Sequence, residues 1–487
     1  MGRRHLAGLL VLGAALVACG QPRPFSCALD EECVADGMQG RCEPSQFCSF
    51  PDPACAGNRY EPNAGDGLGG NCVHSSCGGL GQPCCDGEPP CETNGYCNAG
   101  TCTACLQDVR YGRRFGCALA HDGTVWCIGS NHRGQVGLDP GGEYTTWVPI
   151  RDGVTGEPIT NATAIGAGAD HACAIRGDTS LWCWGANPDG QLGNNSTTDA
   201  SVAVQVTMLS NGLPLLGVVT VAAGYSHTCA ITGNSGVWCW GRNNAGQLGD
   251  GSTTTPRLQA VPVLAAGGGV FGGASAITIG RYHTCVNTVN HQVACWGLNT
   301  KGQLADGSMD NRTMAVPIGT WISVAAGHPQ HTCMVDPTGH AWCAGWSFRM
   351  RLGTGAHSHE DDIPESYPTP QAVLVEHGGA QLDGVAQVAA SSASCALMID
   401  GSVRCWGANN HGQLGTGIGT PHPLPVVNED GSPLTDVVEL TTGWAHTCAR
   451  TSSGNLVCWG RGVSGELADG SLTEHYYPTA IAAPSCP

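Results

Sequence analysis

The stretch GYSHTCAITGNSGVWCWGRNNAGQLGDGS, residues 224–252, decides how this chain is read. It carries two cysteines ten residues apart, Cys229 and Cys239, with Gly233, Asn234 and Gly236 between them as turn formers. Folding a hairpin about Asn234 sets Cys229 opposite Cys239. Directly opposed residues of an antiparallel pair bring their Cβ atoms within reach of a disulfide. Beyond the turn the strand reads GVWCWG. Val237 and Cys239 point to one face, Trp238 and Trp240 to the other, so neither face is polar. A sheet with two apolar faces must be covered on both sides.

The phrase returns along the chain. Paired cysteines stand ten apart at Cys117/Cys127, Cys173/Cys183, Cys229/Cys239, Cys285/Cys295, Cys333/Cys343, Cys395/Cys405 and Cys448/Cys458. The first members follow one another at 56, 56, 56, 48, 62 and 53 residues. Seven units at a near-fixed period mean a repeat architecture. A ring of small sheets, each sandwiched between its neighbours, covers both apolar faces. The expected fold is therefore all-β: a seven-bladed β-propeller over residues 106–487, preceded by small disulfide-rich modules.

Composition agrees. Gly is abundant at 73 of 487 residues and charged residues make up 12%, which favours turns and short strands over long amphipathic helices. The net charge is −18 and Lys301 is the lone lysine, so nucleic acid is not an expected partner. The 29 cysteines point to an oxidising compartment.

The N-terminus points the same way. Arg3 and Arg4 precede a thirteen-residue apolar run, Leu6 to Ala18, right for a signal peptide and too short to cross a bilayer. LVACG (16–20) resembles the lipobox of bacterial lipoproteins. That resemblance implies a signal peptide over 1–18, lipidation of Cys19, a tether over 19–26, and anchoring at the outer membrane or cell surface. Residues 27–105 hold thirteen cysteines and almost no apolar periodicity, so stapled modules are expected over 27–71 and 72–105. Their connectivity cannot be read from spacing. A zinc site would want two CxxC pairs, and Cys102–Cys105 alone has that spacing.

CWGANPDGQLG (183–193), CWGRNNAGQLG (239–249), CWGLNTKGQLA (295–305) and CWGANNHGQLG (405–415), each preceded by a G-x-x-H-T-C-like strand, resemble the repeat of the regulator of chromosome condensation family. CIGSNHRGQVG (127–137) and CWGRGVSGELA (458–468) are weaker copies, and CAGWSFRMRLG (343–353) loses most of the motif. The resemblance spans about residues 106–483 and implies seven blades. VRYG (109–112) opens the first repeat without a Pro-led strand before it, and YYPTAI (476–481) ends the last. YYPTAI is thus expected to complete the first blade. With Cys19 set aside, fourteen cysteines fall in hairpin pairs and twelve between Cys27 and Cys102. Cys105 and Cys486 are left over and are expected to bond, locking the ring with at most about 5–6 kcal/mol in the chain-entropy account.

Candidate sites are few. His171, His227, His283, His331 and His446 stand two residues before their cysteines. They could bind metal, but read better as structural groups, each bonding backbone at the same place in its own blade. GWAHT (443–447) resembles the motif with which a plant UV-B photoreceptor of this fold places tryptophans at a dimer face. Most Trp here instead sit in the C-W-G strand and read as core. DGST (250–253) and its counterparts could offer oxygens to Ca²⁺, yet tight polar turns explain them. AHSHEDDIPE (356–365) gathers His357, His359, Glu360, Asp361 and Asp362, a weak metal or partner site that reads better as a solvated loop. No catalytic constellation is visible and no cofactor is expected. The leading reading is a monomeric surface scaffold for an extracellular protein or glycan. The alternatives are a propeller hydrolase or lyase, a secreted enzyme inhibitor, and the family namesake's nucleotide exchange, which export and acidity oppose.

Overall fold

The computed structural model describes residues 106–481, apart from 329, 356–364 and 418–419, together with residue 484 and the backbone of short strands between 34 and 104. Cys19, Cys105, Cys486, His357, His359, Glu360, Asp361 and Asp362 lie outside the described residues. The chain divides into two compact units after Ala104. In the first, short antiparallel pairs join Val34–Ala35 to Met38–Gln39, Arg41–Cys42 to Cys48–Ser49, Tyr60–Glu61 to Asn71–Cys72, and Gly95–Asn98 to Thr101–Ala104.

The second unit is a propeller of seven four-stranded sheets. In the third blade the strands are Val218–Ala223, His227–Thr232, Val237–Gly241 and Arg257–Pro262, each antiparallel to the next. Cys229 stands opposite Cys239 in register, and the two form a disulfide across a Cα–Cα distance of 4.1 Å. The other six hairpins carry the same cross-strand staple. Cys117 is bonded to Cys127, Cys173 to Cys183, and Cys285 to Cys295. Cys333 is bonded to Cys343, Cys395 to Cys405, and Cys448 to Cys458. Their Cα–Cα distances are 4.0 or 4.1 Å, so one hairpin geometry serves every blade. The second strands are buried along almost their whole length because a neighbouring blade covers each face. The fourth strands form the outer edge and carry prolines, among them Pro149, Pro262 and Pro478, which blunt an unpaired edge.

Ring closure differs from the expectation. Glu143–Pro149 gives the first blade its own outer strand, so that blade is built from four consecutive strands. His475–Ile481, which contains YYPTAI, pairs with Leu456–Gly460 in the seventh blade. The two terminal blades instead meet face to face. Leu106, Val109, Tyr111 and Ala118 of the first pack with Cys448, Leu456, Cys458 and Ile481 of the last in one apolar cluster. The Tyr111 hydroxyl lies 3.4 Å from Cys458 Sγ, and Arg110 Nη1 donates to Glu439 Oε1 at 2.8 Å.

Candidate functional site

The first strands of the seven blades line a central channel of about 620 Å³. At one end the G-x-x-H loops converge on the axis, and their glycines are required there. A Cβ on Gly168 would meet Gly224 O at 2.4 Å and His171 Cε1 at 2.7 Å. Backbone bonds tie loop to loop: Arg113 N to Ala169 O (3.1 Å), Ala169 N to Gly224 O (2.9 Å) and Trp444 N to Gly112 O (3.3 Å). A rigid rim results, and the variable residues between Gly and His gather around it.

Those positions hold Arg113, Arg114, Tyr225, Arg281, Tyr282, His328 and Trp444. Arg113 lies 5.0 Å over the Trp444 ring, donates to the Tyr225 hydroxyl at 3.2 Å and stands 3.8 Å from Asp170. Arg281 lies against the rings of both Tyr225 (4.8 Å) and Tyr282 (5.0 Å), and Arg242 covers Tyr282 at 5.7 Å. Among the described residues neither Arg114 nor Arg281 has a carboxylate partner, and the Nε atoms of Arg113, Arg114 and Arg281 are buried without an acceptor. Burial, followed by the charges of Arg113 and Arg461, pulls the Arg114 pKa down. Burial, with Arg281, His283 and Arg113, holds the His328 pKa at about 3, so that ring is neutral. The mouth encloses about 100 Å³ beside Arg113, His328, Ser391 and Trp444. An acidic chain thus presents a cationic, aromatic rim on its axis. Apart from Trp444, which stands in GWAHT, each of these side chains reads in the sequence as an arbitrary x; convergence of seven loops makes them a site.

The channel wall also holds Asp108 and Arg110. Arg110 lies 3.1 Å from Asp108 and 2.8 Å from Glu439, which Arg450 contacts at 2.9 Å. Burial raises the Asp108 pKa to about 6, against the pull of Arg110. Two carboxylates 331 positions apart in sequence meet here, and no motif announces them. Both are ion-paired to Arg110, Asp108 within its own strand and Glu439 across the seam between the first and last blades.

The five histidines do not converge. Each sits in its own blade, and four reach a hydroxyl of the next blade rather than backbone in their own: His171 to Thr228 (2.8 Å), His227 to Thr284 (3.0 Å), His283 to Thr332 (2.9 Å) and His331 to Ser394 (2.9 Å). The Thr or Ser hydroxyl donates to a backbone carbonyl of the preceding blade, as Thr228 does to Gln191 O at 2.8 Å. Its single proton is thereby committed, so the histidine donates from Nε2. His446 has no such partner because Gly116 stands where the hydroxyl would be; its ring packs edge-on against Tyr111 at 5.0 Å.

The remaining motif residues are structural. The cysteines of the C-W-G strands, Cys127, Cys183, Cys239, Cys295, Cys343, Cys405 and Cys458, are fully buried and bonded within their hairpins. They line neither the mouth nor the channel and offer no thiolate to a metal. Trp240 Nε1 donates to the same Gln191 O at 2.8 Å, and Trp184, Trp296, Trp406 and Trp459 repeat this contact between blades. Asn187 Oδ1 accepts from Leu192 N, and Gln191 Oε1 accepts from Asp189 N, which shapes the loop. The Asp250 and Asp306 carboxylates are bonded by their own turns and by Arg257 and Arg312. No group of three or more metal-ligating side chains occurs among the described residues.

A model described as RCC1-like domain matches residues 74–417, and regulator of chromosome condensation repeats match 400–450 and 437–466. The ultraviolet-B receptor UVR8 of Arabidopsis thaliana is 28% identical over 75% of this chain and 79% of its own length. The crystal structure of human WBSCR16 superposes with a TM-score of 0.59 at 21% identity, over 75% of this chain and 94% of that one. Yeast RCC1 (Prp20) bound to Kap60 gives 0.58 at 18% identity, over 77% and 84%. The interlocked seven-blade ring and the matched repeats agree: this chain belongs to the RCC1-like domain family.

Proposed function

We propose that this chain is an exported binding scaffold, anchored at the cell surface through Cys19, that holds an extracellular protein on the loop face around the channel mouth. The observation that carries this reading is Arg281, packed on two tyrosine rings with no carboxylate partner among the described residues, beside Arg113 on Trp444 at that mouth. Arginine and large aromatics on rigid loops are the residues that dominate protein–protein contacts. The apolar run before LVACG and a staple in every blade support export. Protein partners are named for yeast Prp20, which was solved with Kap60. An enzyme reading finds less support, because the carboxylates that meet in the channel are already ion-paired.

The test is photo-crosslinking on intact cells, with a crosslinking amino acid at Tyr282 on the mouth or at Asn234 on the opposite hairpin face, together with metabolic labelling by palmitate. The expected result is label on Cys19 and a discrete protein adduct from position 282. An unlabelled chain retained in the cytoplasm, or adducts from position 234 instead, would overturn the reading.

A further inference from the structure

We propose that the channel mouth binds an acidic peptide segment, with one Asp or Glu side chain entering the axis at Arg113, which lines the mouth, and with Arg281 on the surrounding rim adding to the hold on the peptide. The inference rests on the binding-face reading above and adds the chemistry of the ligand. Its first support is unspent hydrogen-bonding capacity. The Arg281 guanidinium lies against the rings of Tyr225 and Tyr282, at 4.8 and 5.0 Å, and has no carboxylate partner among the described residues. A guanidinium set against aromatic rings keeps N–H donors free for a carboxylate, which its fork can bind bidentately. Arg113 is likewise oriented by Trp444 and Tyr225, with its nearest carboxylate, that of Asp170, 3.8 Å away. The buried Nε atoms of both lack acceptors.

The second support is size. The cavity on the axis holds about 100 Å³ and is walled by small residues such as Ala223, Gly224 and Ala326. Pockets for whole small molecules run to roughly 300–1,000 Å³. The mouth admits one narrow side chain and excludes a sugar ring, which favours an acidic peptide over an acidic glycan. The flanking Trp444, 38% exposed, and the rings of Tyr225 and Tyr282 would cover the peptide on either side.

The test is fluorescence anisotropy of the whole oxidised protein with a dye-labelled octa-glutamate and its octa-glutamine isostere. Octa-glutamate is expected to bind at least tenfold tighter. Arg281→Gln and Arg113→Gln should each weaken it at least fivefold. Arg133→Gln, which removes a cation already paired with Asp199 on the same face, should leave it unchanged. Equal affinity for the two peptides overturns the proposal. So does loss with Arg133→Gln alone, or stronger competition by oligogalacturonate than by octa-glutamate. Should a variant fail to fold, the comparison of the two peptides on the unaltered protein decides. A protein crosslink at Tyr282 without preference for octa-glutamate would sink the acidic-peptide inference and leave the binding face standing.

Discussion

The Nε2 of His227 donates to the hydroxyl of Thr284 in the next blade at 3.0 Å, and that hydroxyl passes its own proton to Gln247 O at 3.1 Å. Both side chains are fully buried. Trp296 Nε1 donates to the same carbonyl at 2.9 Å. The second to fifth blades are each bolted to the next by His, a Thr or Ser hydroxyl and the loop carbonyl it binds, with a Trp added at most of these joints, which is why these residues recur together.

Thr284→Val is accordingly expected to destabilise the propeller by about 2–3 kcal/mol. It strands a buried imidazole donor and removes one bond from a buried carbonyl. Thr284→Ser keeps the hydroxyl and should cost less than about 1 kcal/mol. Urea unfolding of the oxidised protein reads the difference.

The seam between the last and first blades breaks this pattern. Gly116 replaces the hydroxyl residue because Tyr111 fills its place: a Cβ on Gly116 would lie 2.4 Å from the Tyr111 ring. Gly116→Thr alone should therefore destabilise strongly. Combined with Tyr111→Ala, the residue type found at the matching positions 167 and 223, it should give His446 a hydroxyl partner. The double variant is expected to be at least about 1 kcal/mol more stable than the sum of the singles. Additive losses would show that the tyrosine does not stand in for the hydroxyl.

This seam also marks where sequence and structure part. The hairpin register, the blade number and the two apolar faces follow from a ten-residue spacing and the C-W-G strand. Closure did not, because EYTTWVP (143–149) opens without a proline and does not read as the outer strand it forms. The histidine partners were hidden because each lies in the following repeat. Arg281 and Arg113 were invisible as a pair: 168 positions separate them, and the shared axis brings their loops onto one rim.

Acid should weaken the fold through these histidines. Burial holds His171, His227 and His446 at about 3 and His283 at about 4, against about 6.5 in an unfolded chain. Between those values the unfolded state binds more protons. The stabilisation is therefore complete above about pH 6.5 and is lost as pH falls toward 3–4, at up to about 1.4 kcal/mol per pH unit for each histidine. Asp108, raised to about 6, acts in the opposite sense: its contribution is present below the unfolded carboxylate range and is lost as pH rises through 6. Glu466, also raised by burial, acts with it, so two groups stand against several. Urea midpoints should fall steadily from pH 7 to pH 4.5, and His227→Gln should reduce that slope by about one proton.

The fifth blade offers a gain in stability. Arg351 occupies the position where the other loops place Gln191, Gln247, Gln303 and Gln413, and it is 2% exposed. Its backbone carbonyl keeps the inter-blade role, accepting from Ser394 Oγ at 2.9 Å and Trp406 Nε1 at 3.0 Å. Its side chain does not keep the glutamine's role, since a guanidinium has no acceptor to offer the loop N–H that Gln191 Oε1 binds at Asp189. Nε and Nη1 find no partner among the described residues, and burial with the charge of Arg349 lowers the pKa to about 9. A buried cation without an anion is costly, whereas glutamine satisfies the turn. Arg351→Gln should therefore raise stability by about 1–2 kcal/mol, read as a higher urea midpoint. A lower midpoint would show that its contacts with the Trp346 and Phe348 rings, at 5.1 and 5.8 Å, outweigh that cost.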